Sequence, residues 1–408
     1  MLTTLISLAL GVVGNAPQSV ALEAPKAQVT TVYAGKVYTA TGKVIEDGMV
    51  VITDGKITSV GPAPHGDRAE GDLVVAAITP GMVDLSDRNT SPQTVEETTE
   101  VSAGYRVADS LDLFNQSWKR QLHQGVTTVV ANPYDNNCIG GLSIALKTGG
   151  EPTIEARSVK ADVALRGSFG SQPSSKNSPA RGRPTTFYAR RPTTRMGVEW
   201  VWRKSFFDAL YAEGNPERHF DGLDELVAAL NGDVPVFAQA WATQDIRTAV
   251  FLKEEMAREG KPNMRLIIDA GAEAWRELDF LTRTKTSVVL PPYAAEGRTR
   301  ANAFYPSNCA AQLHEAGVPI ALSSHNAFYA GKSLGDQAAF ARRGGLPFDA
   351  ALAAVTISPA RMIGIDGSVG SIEVGKDGDL ALWNGTPFEL TSSVVGVVLD
   401  GQLVVDPR

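Results

Sequence analysis

Cysteine and histidine are scarce in this chain: 408 residues hold two cysteines, Cys138 and Cys309, and five histidines. Two thiols far apart in sequence, neither in a Cys-x-x-Cys spacing, exclude a disulfide scaffold and a cysteine-based metal cluster. A bridge between them requires a fold that brings them together. No apolar run reaches the length of a bilayer span, so no membrane span is expected. Basic residues are not in excess. A formal charge of −7 and a pI near 5.4 give no general attraction to phosphate backbones, so nucleic acid is not an expected partner.

What is present is an ordinary globular composition, 43% hydrophobic and 20% charged, in a chain long enough for one large barrel and a smaller unit. Leu2 to Val13 is apolar except for Thr3, Thr4 and Ser7, and Ser19-Val20-Ala21 has the small-x-small form of a signal-peptidase site. Residues 1–27 are therefore expected to be a signal peptide and linker, and the protein periplasmic or secreted. Against this, no Lys or Arg precedes Lys26. The alternative is an unstructured N-terminal extension on a cytoplasmic protein.

Val29 to Val60 alternates β-rich runs with the turn dipeptides Ala34-Gly35, Thr41-Gly42, Asp47-Gly48 and Asp54-Gly55, the pattern of a hairpin meander. A further strand, Leu73 to Ile78, leads to Pro80-Gly81, and there the rhythm changes. Val126 to Ala131 is a short continuous β-branched run, and Val234 to Gln239, Met264 to Asp269, Ser287 to Pro292 and Val318 to Ser324 are further short strand runs. They are separated by helical stretches such as Asp109 to His123 and Thr243 to Arg258. Strand, helix, strand without long antiparallel hairpins predicts a (β/α)₈ TIM-type barrel in an α/β fold, although five or six of the strands are identifiable. Gly167 to Arg195, rich in Ser, Pro, Gly and Arg, is expected to be an extended loop or lid. Strands at 379–383, 394–399 and 403–405, with Asp400-Gly401 as a turn, supply pairing partners for the N-terminal meander. The domain expectation is thus a composite β-sandwich of residues 28–79 plus 366–408 beside a barrel of residues 80–365.

Ile78-Thr-Pro-Gly-Met-Val-Asp-Leu-Ser-Asp-Arg88 resembles the entry to the first barrel strand of the amidohydrolase superfamily, whose motif is Pro-Gly-x-x-Asp-x-His-x-His. Ala350 to Gly364 and Gly370 to Trp383 resemble the last helix and the return into the β unit of its imidazolonepropionase-like members, and Pro192 to Gly197 is similar to a segment of a secreted or periplasmic branch. The resemblance implies hydrolysis of C–N bonds in cyclic amides. It also implies a zinc or other divalent ion held by two histidines after strand 1, a carboxylated lysine or glutamate from strand 4, histidines after strands 5 and 6, and an aspartate after strand 8. Such a set leaves an open position on the ion and lowers the pKa of its bound water.

This sequence departs from the pattern. Pro80, Gly81 and Asp84 match, but Ser86 and Arg88 stand at the two strand-1 histidines, Gln239 with Trp241 after it at the strand-5 position, and Asp269 at strand 6. His325, in Ser323-Ser324-His325, stands at the aspartate position. Arginine is always charged, donates only and cannot ligate a cation. No metal and no other cofactor is therefore expected, and Arg88 is expected to point into the barrel mouth and pair with Asp269 or Asp87, or else with solvent at the rim. His65, His123, His219 and His314 are expected to be surface or core histidines.

Three readings follow. In the first, a degenerate amidohydrolase acts as a binding or assembly subunit. It would take a small amide or cyclic ligand through Ser86, Gln239, Trp241 and Arg195, form a homo-oligomer, or pair with an intact amidohydrolase. In the second, a hydrolase uses His325 as base and Arg88 as electrophile, with Asp269 in the same site. In the third the role is structural.

Overall fold

The computed structural model describes residues 28–64, 72–87, 92–175, 177, 190–293, 303–325 and 333–407. The signal-peptide expectation, His65 and Arg88 lie outside them. The strands are β1 (Val29–Tyr38), β2 (Val44–Thr53), β3 (Lys56–Pro62), β4 (Leu73–Pro80), β5 (Met82–Asp87), β6 (Val126–Ala131), β7 (Ile139–Lys147) and β8 (Ser158–Ser168), then β9 (Val236–Gln239), β10 (Leu266–Asp269), β11 (Ser287–Leu290), β12 (Ile320–Leu322), β13 (Leu380–Trp383), β14 (Val394–Leu399) and β15 (Gln402–Val405). Helices are α1 (Gln116–His123), α2 (Ile154–Arg157), α3 (Arg195–Ala212), α4 (Leu223–Asn231), α5 (Thr243–Arg258), α6 (Leu278–Arg283), α7 (Cys309–Glu315), α8 (Leu334–Arg343), α9 (Phe348–Ala354) and α10 (Ile357–Ile363).

Both chain ends build one seven-stranded sheet in the order β15-β14-β13-β4-β1-β2-β3. The β4–β13 pairing, Pro80 opposite Leu380 and Ala77 opposite Trp383, joins the two contributions. Val32, Val37, Ile52, Ile78, Leu380 and Val398 form this unit's own core. The second sheet has eight strands in the order β12-β11-β10-β9-β8-β7-β6-β5 and forms a nearly closed barrel. The expected TIM-type barrel with a composite β unit is thus the observed architecture.

One feature departs from expectation. β7 runs antiparallel to both β6 and β8, so β6 to β8 is a meander in which a loop and the short α2 replace the crossover helices. The glycines of Ile139-Gly-Gly-Leu and the polar start of β8 hide these strands from a search for β-branched runs. The segment from Gly167, expected to be a loop, begins as the end of β8 and is tied to the ends of β9 and β7: Phe169 N donates to Gln239 O at 2.8 Å and Ser168 N to Cys138 O at 2.8 Å.

Period-two alternation fills the barrel. Val83, Leu85, Val130, Ala164, Phe237, Ile267, Val289 and Ala321 point inward and pack on Ala360, Met362 and Ile363 of α10, which stops one end. Two residues further along, β8, β9 and β10 present Arg166, Gln239 and Asp269 to the other end, the C-terminal face where barrel enzymes carry their sites. Gly81 sits at the crossing between the sheets, where a Cβ would lie 2.1 Å from Thr127 Oγ1. The two cysteines are separate buried thiols, each pushed up to about 12 by burial first of all.

The sheet and the barrel are fastened at the barrel's base. Lys147 closes β7 with its ammonium 2.7 Å from Asp377 Oδ2 and 3.2 Å from Asp400 Oδ1, and it also bonds Asp379. Burial opposes the charge, but the three carboxylates outweigh it and hold the ammonium well above the usual lysine range. Removing the cation strands buried carboxylates, so Lys147→Met is expected to cost roughly 3–5 kcal/mol, and adding Asp379→Asn should recover part of it. Urea melts of both variants decide the matter. A Lys147→Met loss below about 1 kcal/mol would show that the clamp carries no stability.

Candidate functional site

The barrel mouth is built on a buried arginine. Arg166, 2% exposed, places Nε 2.9 Å from Asp135 Oδ1, and its Nη2 lies 2.8 Å from the same oxygen and 2.6 Å from Asp269 Oδ2. Its guanidinium carbon lies 4.6 Å from the centroid of the Phe237 ring. Burial opposes the charge, and the two aspartates more than compensate, raising Arg166 above its ordinary value. The guanidinium is rigid and planar, so it fixes both carboxylates at once.

Neighbouring strand ends complete the cluster. Ser86 Oγ donates to Asp269 Oδ2 at 2.9 Å, and Gln239 Nε2 donates to Asp135 Oδ2 at 2.6 Å. Ser168 Oγ donates to Gln239 Oε1 at 3.1 Å, and the Trp202 indole donates to Ser168 O at 3.1 Å. That indole lies flat against the end of β8, because Gly167 has no Cβ; one there would meet Trp202 Cζ2 at 2.3 Å.

His325 stands beside Asp269, with Nε2 3.6 Å from Oδ1, and Trp241 meets its ring edge-on at a centroid distance of 5.8 Å. Ala270 and His325, each just past a strand end, lie in the left-handed region at φ +59° and +49°. Non-glycine residues pay for that conformation, and such strain gathers at sites that hold a shape for a purpose. His325 is kept there in part by its own N–H, which donates to Ser323 Oγ at 3.0 Å.

Asp84 closes the barrel seam. β12 and β5 do not pair directly, and the fully buried Asp84 carboxylate bridges them. Oδ1 accepts from Ser323 Oγ at 2.6 Å and from Ser86 N at 3.1 Å, while Oδ2 accepts from Ser324 N at 2.9 Å and Ser324 Oγ at 2.7 Å.

Of the residues singled out from sequence, Ser86, Gln239, Asp269, His325 and Trp241 are thus neighbours. Arg195 is not part of this cluster: it opens α3, and its Nε bonds Asp245 Oδ1 at 2.9 Å. Asp269 pairs with Arg166, and the expected pairing of Arg88 with Asp269 or Asp87 lies outside the described residues. Arg166 and Asp135 escaped the sequence reading. Arg166 was detectable in principle, as the polar residue that follows Ala164 at period two in Val163-Ala-Leu-Arg-Gly, whereas Asp135 sits in the β6–β7 loop, where no periodicity points.

The described residues of the mouth do not assemble three ligand atoms for a divalent ion. Among the described residues, Asp377, Asp379 and Asp400 are the one group of three ligand atoms mutually within 4.8 Å, and Lys147 already sits in it. At the mouth, Asp269 and Asp135 hold a guanidinium, Asp84 is committed to the seam, and Ser86 and Gln239 are weak neutral donors. His123, His219 and His314 are exposed on the outer layer. His325 is the single imidazole among the described residues of the cluster.

Residues 275–404 match the sequence profile of the Amidohydrolase family. Amidohydrolase tasK of Hapsidospora irregularis is 26% identical over 400 residues, an alignment covering 88% of this chain and 40% of that protein, so the chain spans about two-fifths of the relative's length. An amidohydrolase from Thermotoga maritima MSB8 superposes with a TM-score of 0.79 at 26% identity, over 92% of this chain and 99% of that one. A zinc-bound adenosine deaminase from Xanthomonas campestris superposes at 0.52 with 18% identity, over 93% of each chain, a likeness of fold alone.

Asp84→Asn turns one charged acceptor into a donor that faces Ser324 N–H. It is expected to cost about 2–3 kcal/mol in urea melts. An unchanged midpoint would remove the seam role.

Proposed function

Because this chain belongs to the amidohydrolase superfamily, we propose that it is a member in which an arginine–carboxylate cluster has taken the place of the metal, and that it works as a binding or assembly subunit without hydrolytic turnover. The observation that carries this reading is Arg166 held between Asp135 and Asp269. It lies on the fourth barrel strand, the strand from which metal-binding relatives are expected to present a carboxylated lysine or a glutamate. A permanent cation there repels a divalent ion and takes up the carboxylate that would ligate it. What remains at the mouth is a polar floor of Ser86, Gln239 and Asp269 with Trp241 and His325 beside it, suited to a small amide or cyclic ligand, and the outer surface is free to pair with a second copy or an intact amidohydrolase. No helix among the described residues is long and apolar enough to cross a membrane. Export to the periplasm or beyond rests on residues 1–27 alone.

A second reading is favoured by the 3.6 Å approach of His325 Nε2 to Asp269 Oδ1. An imidazole oriented by a carboxylate is the arrangement of a general base, and it could draw a proton from water attacking a cyclic amide while Arg88 stabilised the developing oxyanion.

Purified protein is expected to carry zinc, manganese and cobalt far below one ion per chain. Chelation should leave its melting temperature within about 1 °C, since no ion is bound to the folded state alone. Zinc near one per chain would refute the first reading, and turnover of cyclic amides abolished by His325→Ala would establish the second.

A further inference from the structure

At the barrel's base, on the face opposite Arg166, a cavity of about 350 Å³ lies at the starts of β10 and β11, flanked by α5 and α10. Four cations line it: Lys253 from α5, Arg265 just before β10, Lys285 just before β11 and Arg361 from α10. Asn263 and Ser287 add neutral donors, and no aspartate or glutamate is among the described residues of its wall. Among the described residues none of the four makes an ion pair within salt-bridge distance, in a protein whose net charge is −7. Glu373, the carboxylate that Arg361 influences from a distance, is already hydrogen-bonded by Ser371 and Lys376, which with Arg361 keep it below its ordinary range.

Like charges gathered without counter-charge are electrostatically unfavourable, and their presence on four separate elements of one cavity calls for an anion. Lys253 shows the strain. Its ammonium is satisfied only by carbonyls, 2.5 Å from Thr284 O and 3.3 Å from Lys285 O, and burial followed by the charge of Lys285 pushes it down to about 8. We propose that this basal cavity binds a small phosphate-bearing anion. Two guanidinium forks and two ammonium groups suit tetrahedral oxygens and a charge of about −2 or more better than a single carboxylate. The volume falls within the range of small-molecule pockets. Because β10 runs from this cavity to Asp269 at the mouth, the anion would secure the foot of the strand whose other end holds Arg166.

The test is thermal melting of the whole chain titrated with pyrophosphate, inorganic phosphate or citrate at an ionic strength fixed by potassium chloride. A saturable rise in melting temperature is expected with pyrophosphate, and weaker ones with phosphate and with citrate, whose planar carboxylates match the site less well. Arg361→Gln should weaken pyrophosphate about tenfold and Arg265→Gln with Lys285→Gln about a hundredfold, one charge-assisted contact being worth roughly a factor of ten. The melting temperature in chloride alone should stay near that of the parent chain, and Arg361→Gln, on a different element, serves if the double variant does not fold. No saturable response, an equal response to citrate, or variants that bind like the parent chain would each overturn the proposal. The cavity and the mouth are at opposite ends of the barrel, so the outcome does not depend on whether the mouth holds a metal.

Discussion

The arrangement of the barrel mouth depends on one buried cation shared by two carboxylates. An arginine taken out of water carries a desolvation penalty of several kcal/mol, and it is tolerated only where its donors are met by well-placed acceptors. Asp135 and Asp269 meet that condition for Arg166. The carboxylates have the reciprocal need: Gln239 donates to the second oxygen of Asp135, and Ser86 donates to the same Asp269 oxygen that Arg166 holds. The ends of β5, β8, β9 and β10 are thereby tied together across the mouth. The strained backbones of Ala270 and His325 border the mouth, held by the same network.

The opposite end uses the same physics for a different purpose. Lys147, buried against Asp377, Asp379 and Asp400, joins the antiparallel strand β7 to the turns of the C-terminal strands, and Gly81 N donates to Asp379 O at the crossing from one sheet to the other. A compact ammonium suits that place because it is surrounded by carboxylates on three sides, whereas the mouth needs a planar fork spanning two strands and a loop. Between the two charged layers lies an apolar one, Val83, Ala164, Phe237, Ile267 and Val289, which is closed below by α10.

How much of this was legible depended on the kind of signal each residue gives. The β-branched runs at Val126, Val236 and Ile320 and the turn dipeptides of the meander advertise their strands locally, so the barrel and the composite sheet could be inferred. β7, with Gly140 and Gly141 and no outward polar face, and β8, which begins Ser-Val-Lys-Ala-Asp, give no such signal, and the antiparallel excursion was missed. At the site, the motif positions located Ser86, Gln239, Asp269 and His325, because each stands where the resembled motif has a functional residue. A motif gives no sign of the side chains from elsewhere in the chain that pair with them. Arg166 and Asp135 are 31 residues apart in sequence and meet only through the pairing of β7 with β8.

The central claim is that Arg166 and Asp269 stabilise the mouth as a pair, in the role a metal has elsewhere. A double-mutant cycle in urea tests it most directly, using Arg166→Met, Asp269→Leu and the two together. If the pair is the stabiliser, Arg166→Met strands two buried carboxylates and costs roughly 3–5 kcal/mol, Asp269→Leu leaves Arg166 with Asp135 alone and costs less, and the double variant strands Asp135 alone and costs less than the sum, a coupling of about 1 kcal/mol or more. Losses that add within about 0.5 kcal/mol would contradict the account.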